Sequence, residues 1–346
     1  ELREILGEVP LLFTIRTRRE GGEADLSADQ YLKVVSDAIR DEKADLVDVE
    51  ISHGDDIAFM LISLAHEFGI KTIASSHDFS QTPKKEQIIM KIIAVMNQKG
   101  GVGKTMTSAA IAYILGEEMK NRVLIADADQ QGNVSMLYGV YDPEGLGMPE
   151  LLEAHQAAGG AYSAKELIQQ TTYSNIQIIP ANGYLMRTNA ELLLVEREDQ
   201  ILRFSAAMNE VRTEYDYCIV DCGLLLDMTV MNVLAAADLV IVPAKIGGFE
   251  IGAINNMVEQ LETFRDFNED IRMKVLLTMK QKNKTTLQVE SWMRDKESYE
   301  CFETAVRRSV VAEKSTMERL PLPAFSRKCA TTKDYRAVCQ ELIKEL

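Results

Sequence analysis

One short stretch narrows what this chain can fold into. "KIIAVM" (91–96) is an apolar run of strand length, "KGGVGKT" (99–105) is a glycine-rich turn, and an apolar-periodic helix is expected over 104–119. Strand, glycine turn and helix in that order place backbone N–H groups and a helix N-terminus opposite an anion. Gly100, Gly101, Val102 and Gly103 would aim successive N–H groups at phosphate oxygens. Lys104 would neutralise charge on the outer phosphates, and Thr105 would offer a hydroxyl to Mg²⁺. The usual G-x-x-x-x-G-K-[ST] spacing is not met, because the first glycine falls late and Lys99 opens the loop instead.

The turn sits some ninety residues into the chain, so something else precedes it. From Met90 onward strands are expected at 91–96, 122–127, 176–180, 216–221, 238–243 and 273–279. Helices are expected at 104–119, 190–213, 228–236, 250–266, 285–297 and 332–345. Nearly all-apolar strands such as "DLVIVP" are the mark of a parallel sheet covered on both faces. The expected fold is α/β, a phosphate-loop NTPase-type, mostly parallel sheet with helices on both faces. No apolar run reaches the length of about 18 residues that a spanning helix needs. The five cysteines form no CxxC pair, as in a reduced cytoplasm.

Two further acidic motifs follow in order. "LIADADQQGN" (124–133) ends a strand on Asp127 and Asp129, and "YDYCIVDC" (215–222) ends one on Asp221. With "KGGVGKT" they resemble the ParA/MinD family of ATPases, which partition plasmids and chromosomes or position division sites. The resemblance covers residues 90–346. It implies ATP and Mg²⁺ as cofactors, with Lys99, Gly100, Gly101, Val102, Gly103, Lys104, Thr105 and Met106 around the phosphates. It implies Lys99 reaching the partner subunit's phosphates in an ATP-sandwich homodimer. Asp129 would position the attacking water, Asp127 would support the metal site, and Asp221 would hold Mg²⁺ through water. Asn232 in "VMNVLAAADLVIVP" matches a family asparagine. Four positions depart from the family: Met106 stands for a threonine, Gln130 for a proline, and Gly223 and Leu224 for Pro-Pro. Slow hydrolysis is expected; the alternative is a nucleotide-binding regulator or scaffold with negligible turnover.

The net charge of −15 excludes a surface coated all over with nucleic acid but leaves room for a basic patch. Partition relatives bind DNA without sequence preference, and the candidate contacts here are Lys280, Lys282, Lys284, Arg307 and Arg308. A ParB-like centromere-binding partner and a cytoplasmic, nucleoid-associated ATP state follow from the same resemblance. A MinD-like membrane helix is not expected, because the last helix pairs Glu341 and Glu345 with Lys344 and reads as core-packing. Cys222 lies beside Asp221 without a second cysteine placed to share a metal cluster.

Residues 1–89 read as strand, helix, strand, helix, strand: 10–16, 27–42, 44–51, 55–69 and 71–79. "PLLFTIRTRREGGE", "DLVDVEI" and "IASSHDFSQTP" resemble type I 3-dehydroquinate dehydratase, a (β/α) TIM barrel. The resemblance puts Arg16 and Glu20 in that enzyme's substrate site and makes His77 its general acid/base. Asp48 and Glu50 stand at a strand end, where barrel sites lie. About three βα units cannot close an eight-stranded barrel, so dehydratase activity is not expected. Lys91 matches the enzyme's Schiff-base lysine by position, but it reads as the first residue of the next strand. The chain opens on Glu1, so its upstream end is expected to be missing or processed. A domain boundary is expected at 89/90, with Met90 as the native start of the ATPase.

Overall fold

The computed structural model describes residues 10–18, 22–41, 43–75, 90–154, 162–194, 200–247, 250–295 and 299–346. The chain divides into two compact units, Glu1–Lys84 and Lys85–Leu346.

The first unit is a fragment of a (β/α) barrel. Its strands are β1 (Leu12–Phe13), β2 (Leu46–Glu50) and β3 (Lys71–Ser75), joined through α1 (Ala28–Arg40) and α2 (Asp55–Glu67). They pair in parallel in the order β1-β2-β3. Ser27 caps α1 in a reciprocal box with Gln30, which fixes where the helix begins. Tyr31, Val35 and Ile39 repeat at helical spacing and pack on Val47 and Val49 of β2 with Leu61 and Ala65 of α2. The expected strand over 10–16 is paired only at Leu12–Phe13.

The second unit carries the phosphate turn. Its first half runs β4 (Lys91–Val95), α3 (Lys104–Tyr113), β5 (Val123–Ala128), α4 (Asn133–Leu137), α5 (Met148–Ala154), α6 (Ala164–Leu167), β6 (Gln169–Gln170) and β7 (Ile176–Ile179). Then come α7 (Leu185–Leu194), α8 (Arg203–Asn209), β8 (Tyr217–Cys222), α9 (Met228–Ala236) and β9 (Leu239–Lys245). The chain closes with α10 (Glu250–Phe264), β10 (Arg272–Thr278), α11 (Lys284–Arg294), β11 (Glu300–Cys301), α12 (Val310–Met317), α13 (Leu322–Phe325) and α14 (Ala330–Glu345). The strands form one eight-stranded sheet in the order β11-β10-β9-β4-β8-β5-β7-β6. All neighbours are parallel except β6 with β7.

The period of two along β4 explains the layers. Ile92 and Ala94 point into a core shared with α7, α8 and α9. Ile93 and Val95 point into the other, shared with α3 and α14. Helices therefore cover both faces, and β4 lies at the centre. Lys91 opens β4, with Nζ 3.5 Å from Asp238 Oδ1, as a strand-end ion pair. The last helix buries Tyr335, Val338, Cys339 and Leu342 in the second core. Among the described residues no helix is long and apolar enough to cross a membrane.

The single helix expected over 190–213 is instead α7 and α8. Asn232 on α9 accepts a hydrogen bond from Phe204 N (3.2 Å) and donates to Gln200 O (2.8 Å). That side chain satisfies a first-turn N–H from another element, so a new helix begins at Arg203. Two two-residue strands, β6 and β11, extend the sheet beyond the six expected.

Candidate nucleotide site

Short loops at the C-terminal ends of neighbouring parallel strands gather the site, as the architecture favours. Residues 96–103 leave β4, Asp129 follows β5, and the turn 223–227 follows β8. Gly101 and Gly103 hold φ of +71° and +95°, a region open to glycine at little cost, so their N–H groups can face inward. Gly103 immediately precedes α3, whose first residue is Lys104. The loop is tied down on both sides. Asn97 donates to Pro243 O (2.8 Å) and accepts from Lys99 N (2.8 Å), and Thr278 Oγ1 donates to Val102 O (2.8 Å). Lys104 Nζ folds back onto Lys99 O at 3.4 Å. Burial holds the Lys104 ammonium below its ordinary pKa, while Asp221, Asp129 and Cys222 pull it back up.

The acidic residues are set by strand register. Asp127 of β5 and Asp221 of β8 are direct cross-strand partners, and Val95 of β4 pairs with Asp221 on the other side. Both carboxyls are fully buried. Asp127 accepts from Ser135 Oγ (2.6 Å), Ser135 N (3.0 Å) and Asp129 N (3.2 Å). Asp221 Oδ1 accepts from Ser108 Oγ (2.8 Å), but Asp221 Oδ2 is buried without a partner. Burial raises the Asp127 pKa, the neighbouring Asp221 raises it further, and the Ser135 and Asp129 bonds only partly offset this. Burial raises Asp221 too, against the Ser108 and Thr105 hydroxyls. Asp129 is half-buried, and its Oδ1 accepts from Gln131 N (3.0 Å). An orphaned buried carboxylate oxygen beside Lys104 and the helix start suits a hydrated Mg²⁺, which takes one or two carboxylates and keeps waters and phosphate oxygens. Among the described residues no cluster of three or more His, Cys, Asp or Glu side chains could hold a metal alone.

The turn after β8 lies against both other loops. A Cβ placed on Gly223 would meet Asp129 Oδ1 at 3.7 Å, and one on Gly100 would meet Leu224 Cδ2 at 4.0 Å. Leu224 and Leu225 are 45% and 67% exposed. Cys222 is buried and free, with its thiol pKa pushed well up by burial.

Sequence reasoning missed a cavity of about 340 Å³ behind the loop, lined by Gly103, Met106, Thr278, Met279, Arg307 and Tyr335 among others. Its size is at the lower end for small-molecule sites. Met279 holds φ +55°, an uncommon conformation for a residue with a side chain. Thr107 Oγ1 and Tyr335 OH lie 3.1 Å apart below it, joining α3 to α14.

The basic residues expected to meet DNA are partly committed elsewhere. Lys280 and Arg307 form a parallel bridge that brings them together with Arg308. Lys280 Nζ is 2.7 Å from Glu290, Arg307 grips Asp334 through Nε (2.8 Å) and Nη2 (2.5 Å), and Arg308 is 3.6 Å from Glu313. Arg307 and Arg308 also line the cavity. Lys282 and Lys284 are exposed.

In the first unit, Arg16 Nη2 is 3.0 Å from Asp48 Oδ2 and Arg16 Nε 3.8 Å from Glu50 Oε1. Glu50 is buried and accepts from Thr17 N (2.9 Å) and Oγ1 (2.7 Å). These three are thus brought together; Glu20 and His77 lie outside the described residues.

Comparison with known proteins finds two families along the chain, their matches overlapping at residues 90–110. A family model described as "AAA domain" matches residues 90–273, and one described as "Type I 3-dehydroquinase" matches residues 1–110. The chain is 30% identical over 257 residues to the chromosome partitioning protein ParA of Myxococcus xanthus, covering 73% of this chain and 88% of that one. It is 39% identical over 104 residues to the 3-dehydroquinate dehydratase of Clostridium botulinum, covering 30% of this chain but only 41% of that enzyme. In fold it resembles the cobyrinic acid a,c-diamide synthase of Mycobacterium smegmatis solved with ADP and magnesium. That likeness has a TM-score of 0.62 and 24% identity and covers 74% of this chain and 94% of the other.

Proposed function

The chain belongs to the ParA/MinD family of ATPases, and from that premise we propose that residues 90–346 act as an ATP-dependent partition switch. The observation that carries the reading is the register of β4, β8 and β5. It sets the phosphate loop, Asp221 and Asp127 side by side at one end of the sheet.

ATP would place its phosphates in the 99–106 loop and its nucleoside in the cavity bounded by Met106, Met279 and Tyr335. Loop N–H groups and Lys104 would bind the phosphate oxygens. Thr105 and Asp221, with Asp127 behind them, would hold Mg²⁺, whose charge would stabilise the transferring phosphoryl group. Asp129, held by Gln131 N, would orient the attacking water. One subunit supplies few cations here, and phosphoryl transfer depends on charge neutralisation and positioning. Lys99 of a second copy would add positive charge across an ATP-sandwich dimer, with exposed Leu224 and Leu225 beside that face. ATP-bound dimers would then hold nonspecific DNA at the nucleoid, with Lys282, Lys284 and Arg308 the exposed contacts. A ParB-like partner would stimulate the reset.

A nucleotide-binding regulator with negligible turnover is the second reading, favoured by Met106 and the proline-free 223–226 turn. Asp129→Ala separates the two. In the switch reading it binds ATP and dimerises, measured by ATP affinity and sedimentation, but releases far less phosphate than wild type. Equal phosphate release by variant and wild type would remove Asp129 from the reaction. The match to the dehydratase covers 104 residues and only 41% of that relative, too little of a barrel for dehydratase activity.

A further inference from the structure

The switch reading leaves open what holds the 223–226 turn in place, since it lacks prolines and exposes two leucines. The answer lies in a polar cluster outside the phosphate site. Asp227 caps α9 by accepting from Val230 N (3.0 Å). Asn189, on α7, donates from Nδ2 to Asp227 Oδ2 (3.1 Å) and to Leu185 O (3.1 Å). Asn189 Oδ1 accepts from both Thr229 N (2.8 Å) and Thr229 Oγ1 (3.0 Å). The amide's two donors and its acceptor are all used. Asn189 is 8% exposed and Thr229 fully buried. Asparagine is a poor residue for a helix interior, because its side chain competes with the backbone for hydrogen bonds. Its place in α7 makes sense as a bridge to the next element.

We propose that Asn189 is a positioning residue: it latches Asp227 and Thr229, and so holds the 223–226 turn across Gly100 and Asp129. The proposal rests on the switch reading for its consequence in turnover, but the latch itself is a property of the ligand-free chain. Backbone rigidity that two prolines would give locally is supplied here from a neighbouring helix. The outer face of α7 exposes Met186, Leu193 and Leu194 (66%, 65% and 84%), so the latch also joins the turn to a helix open to solvent.

Hydrogen exchange and phosphate release on the full chain test this together. In Asn189→Ala the Thr229 amide should exchange about tenfold faster, as loss of a buried hydrogen bond allows local opening. The core strands should be unchanged. ATP affinity should stay within about twofold, because the phosphate contacts are intact, while turnover falls about fivefold or more. Asp227→Ala removes the acceptors of both Val230 N and Asn189 Nδ2 and should copy Asn189→Ala; Asp227→Asn keeps one acceptor and sets an amide donor against the other N–H, so it should be impaired as well. Should Asn189→Ala not fold, Asp227→Ala removes the turn-side acceptor of the same bridge and carries the same comparison. Unchanged exchange at residue 229 overturns the latch. Faster exchange with unaltered turnover overturns the positioning role. Wild-type exchange and turnover in Asp227→Ala also overturn it. If wild type itself releases no phosphate, the switch reading falls, and exchange alone decides the latch.

Discussion

Without magnesium, the buried carboxyl pair should make this protein lose stability as pH rises through neutrality. Asp127 and Asp221 are register partners, and burial pushes their pKa values up to about 8 and about 7. In the unfolded chain an aspartate titrates near about 3.9. The folded state therefore binds protons more tightly, and its stability falls as pH rises between the unfolded and folded values. If the repelling pair retains one shared extra proton, the slope is about 1.4 kcal/mol per pH unit, or roughly 3 kcal/mol from about pH 5 to about pH 7. For a unit of this size that corresponds to roughly 5–10 °C in Tm. Other groups titrate as well, so Asp221→Asn supplies the reference: it cannot ionise, and Asp127 no longer faces a charge. Thermal melts in EDTA at several pH values should show wild type losing stability relative to the variant as pH rises. Parallel loss in the two proteins would refute the claim that these carboxyls repel each other in the empty site. With Mg²⁺ and ATP present the gap should reverse, since the variant lacks a ligand to the bound cation.

Three other expectations follow from the geometry. Lys104→Ala should weaken ATP binding by about tenfold to a hundredfold, the range for losing a charge-assisted hydrogen bond, measured by equilibrium titration. Residues 90–346 alone should fold and bind ATP, because both cores of the sheet are built within them; an insoluble product would show that the leader is part of the core. Duplex DNA of random sequence should be retained with ATP at low salt and released as salt rises. Lys282→Glu with Lys284→Glu should abolish that retention, while binding indifferent to ATP and salt would count against it.

Much of the ATPase unit was legible in the sequence because its signals are local. An apolar run, a glycine turn and a helix start were enough to locate β4, the phosphate loop and α3. Asp127, Asp129 and Asp221 were legible as strand-end acids, but their mutual repulsion is a matter of register between β5 and β8, which lie some ninety residues apart in the chain. Arg307 shows the same limit. "AVRRSVV" reads as an exposed basic stretch, yet Asp334 reaches it from the last helix, and both arginines border a cavity. Residues 190–213 read as one helix because apolar periodicity continues through them; the break is imposed by Asn232 from α9. The Asn189 latch gave no local signal beyond an asparagine inside a helix. In the first unit the helices followed their pattern, whereas among the described residues β1 pairs with β2 only at Leu12–Phe13.

The central claim is that ATP is cleaved between two copies of this chain, with Lys99 of one acting on the nucleotide of the other. Phosphate release from mixed variants tests it directly. Lys99→Ala and Asp129→Ala should each be nearly inactive alone. Mixed in equal amounts, they should recover about a quarter of wild-type activity, because half the dimers are mixed and each mixed dimer holds one competent site. No recovery on mixing, or full activity in Lys99→Ala alone, would contradict the account.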